Sequence, residues 1–279
     1  MPTIIPECGL EAYDASPSSA RRPRPAGRRA GRRAGRALTQ VSDTRWNVPQ
    51  ADRVGRDMTT VGLIGSGNIG GTVARLAVAA GHNVVLSNSR GPETLGDLVA
   101  ELGPRARAAT GAEAAAAGDI VVVTVPVKAY PDVPAAPLAG KTVIDTGNYY
   151  PERDGRVPEL EGKSLTDSEL LLRHIPGALV VKGFNNIFFK HLLSLARPAG
   201  ASDRSYLPIA ADDEAAKATV TAFLDSIGYG TVDAGPLAEG WRQQPGTPVY
   251  GPPYGTFEDE KGTPAGEDVI RTALAAATR

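Results

Sequence analysis

The sequence of 279 residues contains a single cysteine, Cys8, and only three histidines. One cysteine cannot form an intramolecular disulfide, and it cannot provide a cysteine-based zinc site. The spacing of His82, His174 and His191 matches neither a hydrolase triad nor a common metal-binding motif. These scarcities exclude a disulfide scaffold, and we expect the protein to hold no metal ion.

Aromatic residues are also scarce, at 5% of the chain, so a core must be built mainly from Val, Ile, Leu and Ala. The longest apolar run, around Ile120–Val127, is far shorter than the roughly 20 residues that cross a bilayer. The formal net charge is −1, which gives no general attraction to nucleic acid. We therefore expect a cytoplasmic protein that binds neither nucleic acid nor a membrane.

Positive charge is concentrated in residues 1–57, which carry 11 basic and 6 acidic side chains. Residues 17–37 combine Arg, Ala, Gly and Pro without hydrophobic periodicity, which predicts disorder because little apolar surface can be buried. Three interpretations are open: a basic arm for anionic surfaces, a targeting peptide, or an extension with no role in the fold. The third is favoured because Met58, a candidate start, opens directly on the first predicted strand.

From residue 58 onward, short apolar runs alternate with segments of helical spacing. Strands are predicted at Val61–Ile64, Val84–Leu86, Ala106–Ala109, Ile120–Val125, Thr142–Asp145, Leu179–Val181, Leu207–Ala210 and Thr231–Ala234. Helices are predicted at Asn68–Ala80, Glu93–Leu102, Ala112–Ala117, 166–173, Asn186–Ala196, Asp213–Ile227 and about 266–277. This alternation predicts an α/β fold with a doubly wound, mainly parallel sheet, extra C-terminal strands and a short C-terminal helical extension. We expect residues 58–240 to form the main domain and the Gly/Pro-rich residues 241–279 to pack on it.

A glycine-rich turn follows the first predicted strand. A G-x-G-x-x-G pattern alone is a weak signal, and a merely structural turn is the alternative. Here a strand precedes it, a helix follows it, and a second strand comes within about 30 residues, as in a Rossmann-type βαβ unit. Gly65 then permits the tight turn, Gly67 lets the backbone approach a pyrophosphate, and Gly70 lets the helix pack on the sheet. We predict a dinucleotide site at Gly65, Ser66, Gly67, Asn68, Ile69 and Gly70.

The end of the second predicted strand distinguishes NADP from NAD. An NAD site usually carries Asp or Glu there, to hold the ribose 2′-hydroxyl. This sequence instead has Ser89 and Arg90, and no carboxylate precedes Glu93. Both side chains can donate hydrogen bonds to a 2′-phosphate, although a solvated polar turn is the alternative. We predict NADP(H) as the cofactor.

The ends of three later strands are predicted to complete the site, because ligands of open α/β sheets lie at the carboxyl ends of the strands. Val125 and Pro126 are expected beneath the nicotinamide, with a simple strand stop as the alternative. Asn148 and Asn185 are expected to face the substrate, although asparagine is also frequent in turns. Lys182, close to Asn185 in the chain, is also a candidate to face the substrate, and a surface position is the alternative for it.

No pair of residues suited to acid–base catalysis stands out, since Asp145 ends its strand alone. Reduction of a carbonyl normally requires Lys, His or Tyr as a proton carrier. Hydride transfer between two bound cofactors depends mainly on proximity and orientation. We therefore predict no dedicated catalytic side chain, and an NADPH-dependent oxidoreductase that passes a hydride to a flavin-like partner.

Taken together, these motifs resemble the NADPH-dependent reductases of coenzyme F420, a deazaflavin, and the nucleotide-binding module is also similar to that of membrane metalloreductases. The resemblance covers about residues 59–240. It rests on Gly65–Gly70, Ser89–Arg90, Lys182–Asn185, Pro208–Asp213 and Asp233–Leu237. It implies NADP(H) at the carboxyl edge of the sheet, coenzyme F420 as co-substrate stacked over the nicotinamide, and a homodimer.

The sequence departs from the resemblance after Leu237, where archaeal-type members continue into an apolar helix. Trp241, Tyr250 and Tyr254 of this segment are expected either to line the acceptor pocket or to reach across a dimer. Two alternatives for function stay open. One is an NADPH-dependent reductase of another small acceptor, such as a flavin, quinone or imine, and the other is a non-catalytic NADP(H)-binding sensor.

Overall fold

The centre of the fold is an eight-stranded sheet. The structure, a computed structural model, describes residues 58–279. Its strands are β1 (Thr60–Ile64), β2 (Asn83–Ser87), β3 (Ala106–Ala108), β4 (Ile120–Val123), β5 (Thr142–Asp145), β6 (Leu179–Lys182), β7 (Tyr206–Ala211) and β8 (Gly230–Asp233). They lie in the order β3-β2-β1-β4-β5-β6-β7-β8. All neighbouring pairs are parallel except β6 and β7. The predicted doubly wound, mainly parallel sheet is confirmed.

Helices connect the strands. The α-helices are α1 (Asn68–Ala79), α2 (Gly96–Leu102), α3 (Gly111–Ala117), α4 (Pro151–Asp154), α5 (Pro158–Glu161), α6 (Asp167–His174), α7 (Phe189–Ser194), α8 (Glu214–Ser226) and α9 (Glu267–Ala275). Short 3-10 helices lie at Pro92–Leu95, Gly103–Arg105, Val127–Asp132, Ala136–Leu138, Leu237–Gln243 and Pro252–Tyr254. None of the helices between residues 58 and 279 is long and apolar enough to cross a membrane.

The sheet is buried on both faces because successive strand side chains point in opposite directions. On β4, Ile120 and Val122 join one apolar cluster with α1 and α8, whereas Val121 and Val123 join a second cluster with α6. Each fully buried aliphatic side chain of this kind stabilises the fold by about 1.5–3 kcal/mol. The result is a three-layer arrangement in which the carboxyl edge of β1–β6 is free to carry a site.

Among the boundaries that differ from the sequence-based expectation, two lie at the carboxyl edge of the sheet. The fourth strand ends at Val123 rather than Val125, because Pro126 has no N–H to continue the ladder. The helix predicted from Asn186 begins only at Phe189. The carbonyl of Asn186 accepts the amide of Gly251 instead of joining a helix. The predicted disordered segment and the domain boundary at residue 57 lie outside the described residues.

The antiparallel pairing of β6 with β7 reverses the last two strands relative to the first six. Val181 lies opposite Ala211, and Lys182 lies opposite Ala210. The amino end of β7 therefore extends beyond the carboxyl end of β6. This brings the C-terminal segment to the same edge as the β5 and β6 loops, where Gly251 donates to Asn186.

Candidate functional site

The glycine-rich loop makes the sharp turn between β1 and α1. Gly65 has a φ of 102°, which glycine adopts at little cost. Its amide donates to the carbonyl of Ser87 at 3.1 Å, and its carbonyl accepts the hydroxyl of Thr124 at 2.8 Å. The hydroxyl of Ser66 also donates to Ser87, at 2.9 Å. These bonds hold the loop against the ends of β2 and β4.

The three glycines of the motif have different surroundings. A Cβ on Gly70 would lie 2.3 Å from the carbonyl oxygen of Gly65, and a Cβ on Gly65 would lie 2.6 Å from that of Thr124. A Cβ on Gly67 would meet no protein atom within 4 Å. Protein packing therefore explains the first two glycines but not Gly67. Close approach of a ligand to the backbone does explain it, as in dinucleotide sites.

The start of α1 is well suited to an anion. Gly67 is its N-cap and provides no side-chain cap, and the first turn contains no acidic residue. The first N–H groups of a helix have no partner within the helix, and the helix dipole favours negative charge there. Gly67 and Asn68 are exposed, so a pyrophosphate can reach these groups. The residues present fit the phosphates of a dinucleotide.

Ser89 and Arg90 stand at the expected place for a 2′-phosphate. Both are exposed in the turn after β2. The side chain of Asn88 shapes this turn, because its Oδ1 accepts the amide of Arg90 at 3.0 Å and its Nδ2 donates to the hydroxyl of Thr94 at 2.8 Å. The guanidinium is therefore carried on a fixed backbone at the rim of the site.

Val125 and Pro126 lie beside the loop after β1. Both are half-buried, and Pro126 begins the 3-10 helix Val127–Asp132. The preceding Thr124 donates its amide to Ile64 at 2.8 Å. The neighbouring Thr146 donates its amide to Val123 at 3.1 Å. Backbone hydrogen bonds thus join the loop after β4 to the end of β1, and the loop after β5 to the end of β4.

Asn148 and Asn185 come together, although 37 residues separate them. The Nδ2 group of Asn148 donates to the carbonyl of Asn185 at 2.8 Å, and the Nδ2 group of Asn185 donates to Oδ1 of Asn148 at 3.0 Å. Nδ2 of Asn185 also donates to the carbonyl of Gln243 at 2.6 Å. The two amides therefore join the β5 loop, the β6 loop and the C-terminal segment.

Lys182 is fully buried, so its interpretation as a surface residue is wrong. Its ammonium lies 2.8 Å from Oδ1 of Asp167 and 3.5 Å from Oδ2 of Asp145. It also donates to the carbonyl of Gly147. Burial lowers the pKa of Lys182, but the carboxylates of Asp167 and Asp145 outweigh that effect and raise it above its usual value. The charged lysine fixes the backbone immediately before Asn148.

The hydrogen-bond donors around Asp145 complete this network. Oδ1 of Asp145 accepts the hydroxyl of Tyr130 and the amide of Gly147, both at 2.9 Å, and Oδ2 accepts the hydroxyl of Ser168 at 2.6 Å. Burial, followed by the nearby charge of Asp145, raises the pKa of Tyr130 well above its usual value. Tyr130 is therefore a neutral donor. The sequence showed Asp145 alone because its partners lie far away along the chain.

The C-terminal segment contributes one of its three expected aromatic residues to this edge. The hydroxyl of Tyr250 lies 2.5 Å from that of Tyr150 and 3.5 Å from Nδ2 of Asn148. Tyr254 is instead a core residue whose hydroxyl donates to the carbonyl of Tyr206 at 2.8 Å. Trp241 packs against the guanidinium of Arg242, 4.5 Å from its ring centre.

Several buried amide atoms beside Asn148 have no hydrogen-bond partner among the residues described. They are Oδ1 of Asn185, Oδ1 of Asn186, and both Oε1 and Nε2 of Gln243. Gln243 is fully buried. Buried polar groups normally have partners, so each exception needs an explanation, such as a functional role or an ordered water. Sequence reasoning missed Gln243, because a glutamine in a Gly/Pro-rich segment carries no distinguishing signal. Within residues 58–279, no group of three His, Cys, Asp or Glu residues is placed to hold a metal ion.

A phosphate loop of this geometry, at the carboxyl edge of a Rossmann-type sheet, is typical of nucleotide-binding proteins, and the comparisons with known proteins indicate the class of NADP-dependent oxidoreductases. Residues 60–149 match the model of the family described as NADP oxidoreductase coenzyme F420-dependent. This match runs from β1 through the loop after β5, and it confirms the resemblance inferred from the sequence.

The chain is also similar to three individual proteins. The chain is 29% identical to Metalloreductase STEAP3 of Rattus norvegicus over 188 residues, which are 66% of this chain and 36% of that protein. This chain therefore spans only about a third of that relative. A hypothetical protein from Sinorhizobium meliloti is 28% identical, with a TM-score of 0.61 over 69% of this chain and 93% of its own. A protein from Arthrobacter sp. FB24, described as an F420-dependent NADP reductase, is 26% identical, with a TM-score of 0.54 over 65% of this chain and 86% of its own.

Proposed function

We propose that this protein transfers a hydride between NADP(H) and a deazaflavin such as coenzyme F420, or a flavin-like acceptor. The observation that carries the proposal is the adjacency of two unlike sites at one sheet edge. The glycine loop at Gly65–Gly70 fits the phosphates, and the interlocked amides of Asn148 and Asn185 lie two and three strands away from it. The descriptions of the family and of the Arthrobacter relative support the choice of acceptor.

The chain's own groups have distinct roles in this proposal. The bound NADPH supplies the hydride. The first turn of α1 binds its pyrophosphate, and Ser89 with Arg90 binds its 2′-phosphate. Val125 and Pro126 form the floor beneath the nicotinamide. Lys182 holds the β5 loop in place, so that Asn148 and Asn185 present amides to the acceptor. Proximity and orientation of this kind account for several powers of ten in rate.

The proposal is tested by mixing the protein with NADPH and oxidised F420 and following the loss of the deazaflavin's visible absorption, with FMN and FAD in parallel. We expect rapid bleaching with F420. Bleaching of FMN or FAD alone would reassign the acceptor to a flavin. Tight NADPH binding without oxidation by these acceptors, a quinone or an imine would overturn the enzyme proposal in favour of a sensor.

Assembly and location are part of the same proposal. We propose a homodimer in the cytoplasm, which is supported by the resemblance to the F420 reductases. Light scattering on the protein as it elutes from a size-exclusion column gives the molar mass of the assembly directly. A monomer at micromolar concentration would contradict the dimer, and cell fractionation tests the location.

A further inference from the structure

The paired hydroxyls of Tyr150 and Tyr250 lie at the acceptor side of the site. Tyr150 follows β5 in the loop that contains Asn148, and Tyr250 comes from the C-terminal segment, 100 residues later. Both tyrosines are half-buried. Their hydroxyls are within hydrogen-bond distance of each other, and Tyr250 is also within reach of the Asn148 amide.

Neighbouring groups fix the ring of Tyr150. The guanidinium of Arg153 lies 5.0 Å from the ring centre and donates to the carbonyl of Asn148 at 2.6 Å. Asp154 accepts the amide of Tyr150 at 3.0 Å and is itself paired with Arg153 at 2.8 Å. The same two residues thus hold both the tyrosine and the loop that carries the amide. An arrangement held this tightly is suited to a group that must meet a ligand in one orientation.

Reduction of a deazaflavin needs a proton as well as a hydride. The C4–H bond of the dihydronicotinamide breaks, and its electron pair forms a new C–H bond at C5 of the acceptor. The displaced electron pair of the acceptor ring then forms an N–H bond at N1. NADP⁺ and the reduced acceptor are the products, and the overall step consumes one proton. An acid held at the acceptor side supplies this proton without waiting for bulk water.

Building on the proposed function, we propose that Tyr250 donates this proton to the acceptor and that Tyr150 replaces it. The O–H bond of Tyr250 breaks as the N1–H bond forms. The proton of Tyr150 then moves across the hydroxyl pair, and solvent restores Tyr150. The proposal makes Tyr250 a catalytic residue, and it would revise the prediction that the site contains none.

The first test measures placement without turnover. In protein labelled with ¹³C at tyrosine Cζ, the resonances of Tyr150 and Tyr250 are assigned from the Y150F and Y250F variants. Addition of oxidised F420 to the NADP⁺ complex should shift both resonances. The matched control is Tyr149, whose hydroxyl donates to Gly155 at 3.0 Å and accepts the amide of Val157 at 2.9 Å. Resonances of Tyr150 and Tyr250 that do not move when F420 saturates the protein would overturn the proposal.

The second test measures the proton directly. In single turnovers with F420, Y250F should transfer the hydride ~100-fold more slowly, the usual loss for a general acid, with unchanged NADPH affinity. The rate of Y250F should rise with the concentration of a buffer acid such as imidazolium, whereas the wild type and Y149F should not respond. A slower Y250F without buffer rescue would show a structural role and overturn the proposal.

Failures of the two proposals are distinguishable. A wild type that transfers no hydride to any acceptor overturns the proposed function, and this inference falls with it. A fully active wild type with an equally active Y250F overturns only the proton donor.

Discussion

In the proposed function, the two halves of the site use different parts of the chain for recognition. The nucleotide half, residues 60–90 with 120–126, presents backbone N–H groups at the start of α1 and an open approach at Gly67. The acceptor half, residues 142–186 with 241–254, presents side chains held in a buried network around Lys182 and Asn185. Backbone N–H groups bind the phosphates that all dinucleotides share, whereas packed side chains are shaped to bind one particular ligand. The acceptor half should therefore set the specificity of the enzyme.

The largest loss of stability is expected when the buried charge network of the acceptor half is broken. Lys182→Met removes the ammonium that pairs with Asp145 and Asp167, and it leaves two fully buried carboxylates without their cation. Breaking a buried pair in this way should lower the free energy of unfolding by about 3–5 kcal/mol. Urea unfolding followed by circular dichroism measures the change.

Lys190→Met is the matched control for that substitution. Lys190 pairs with Glu260 at the surface, where the two side chains are 39% and 68% exposed. Its loss should cost less than about 1 kcal/mol. Equal losses for the two variants would mean that the buried network contributes no more than a surface pair.

The second largest effect is a loss of NADPH affinity in the nucleotide half, and the fold should stay intact. Arg90→Ala removes an exposed guanidinium at the proposed 2′-phosphate position. A charge-assisted hydrogen bond contributes about 1.5–3 kcal/mol, so NADPH should bind roughly 10- to 100-fold more weakly. NADH, which lacks the phosphate, should be almost unaffected. Fluorescence titration with both nucleotides measures the ratio, and equal losses would contradict the NADP assignment.

The third prediction distinguishes two glycines of one loop: Gly70, which protein packing requires, and Gly67, which the approach of a ligand would require. Gly70→Ala places a Cβ 2.3 Å from the carbonyl of Gly65, which should destabilise the fold by about 1–3 kcal/mol. Gly67→Ala meets no protein atom. Loss of a favoured N-cap residue costs about 0.5–1 kcal/mol, and the lower entropy of the unfolded chain offsets much of this cost, so stability should change by less than about 1 kcal/mol. The substitution should nevertheless weaken NADPH about tenfold, equivalent to about 1.4 kcal/mol. Unchanged affinity in Gly67→Ala would remove the argument that this position is open for a pyrophosphate.

The same contrast explains what the sequence could predict. The glycine loop and the Ser89-Arg90 turn are local patterns, and a strand–turn–helix context is enough to interpret them. Continuous apolar runs likewise predicted the parallel strands, because both faces of the sheet are covered.

The acceptor half depends on contacts between distant residues. Tyr150 meets Tyr250 across 100 positions, and Asn185 meets Gln243 across 58. The antiparallel direction of β7 could not be predicted either, because the composition of a strand does not indicate whether it runs parallel or antiparallel to its neighbour. The burial of Lys182 required partners from two other elements, so the lysine alone did not indicate it.

The change in stability with the least obvious sign is expected at Gln243. This side chain is fully buried, and neither amide atom has a partner among the described residues. Gln243→Met keeps the length of the side chain and removes two unpaired polar atoms, which should stabilise the fold by about 1–2 kcal/mol. The carbonyl of Gln243 that accepts the Asn185 amide is part of the backbone, so that contact survives the substitution.

If the side-chain amide of Gln243 binds the acceptor, the KM for F420 should rise in the same variant while the affinity for NADPH stays unchanged. A stabilised variant with unchanged acceptor kinetics would separate Gln243 from the acceptor site, whereas a destabilised variant would show that ordered water pairs with the amide. A gain in stability together with a loss of acceptor binding would show that the acceptor half maintains unpaired polar groups for its ligand, which the nucleotide half, working through its backbone, does not require.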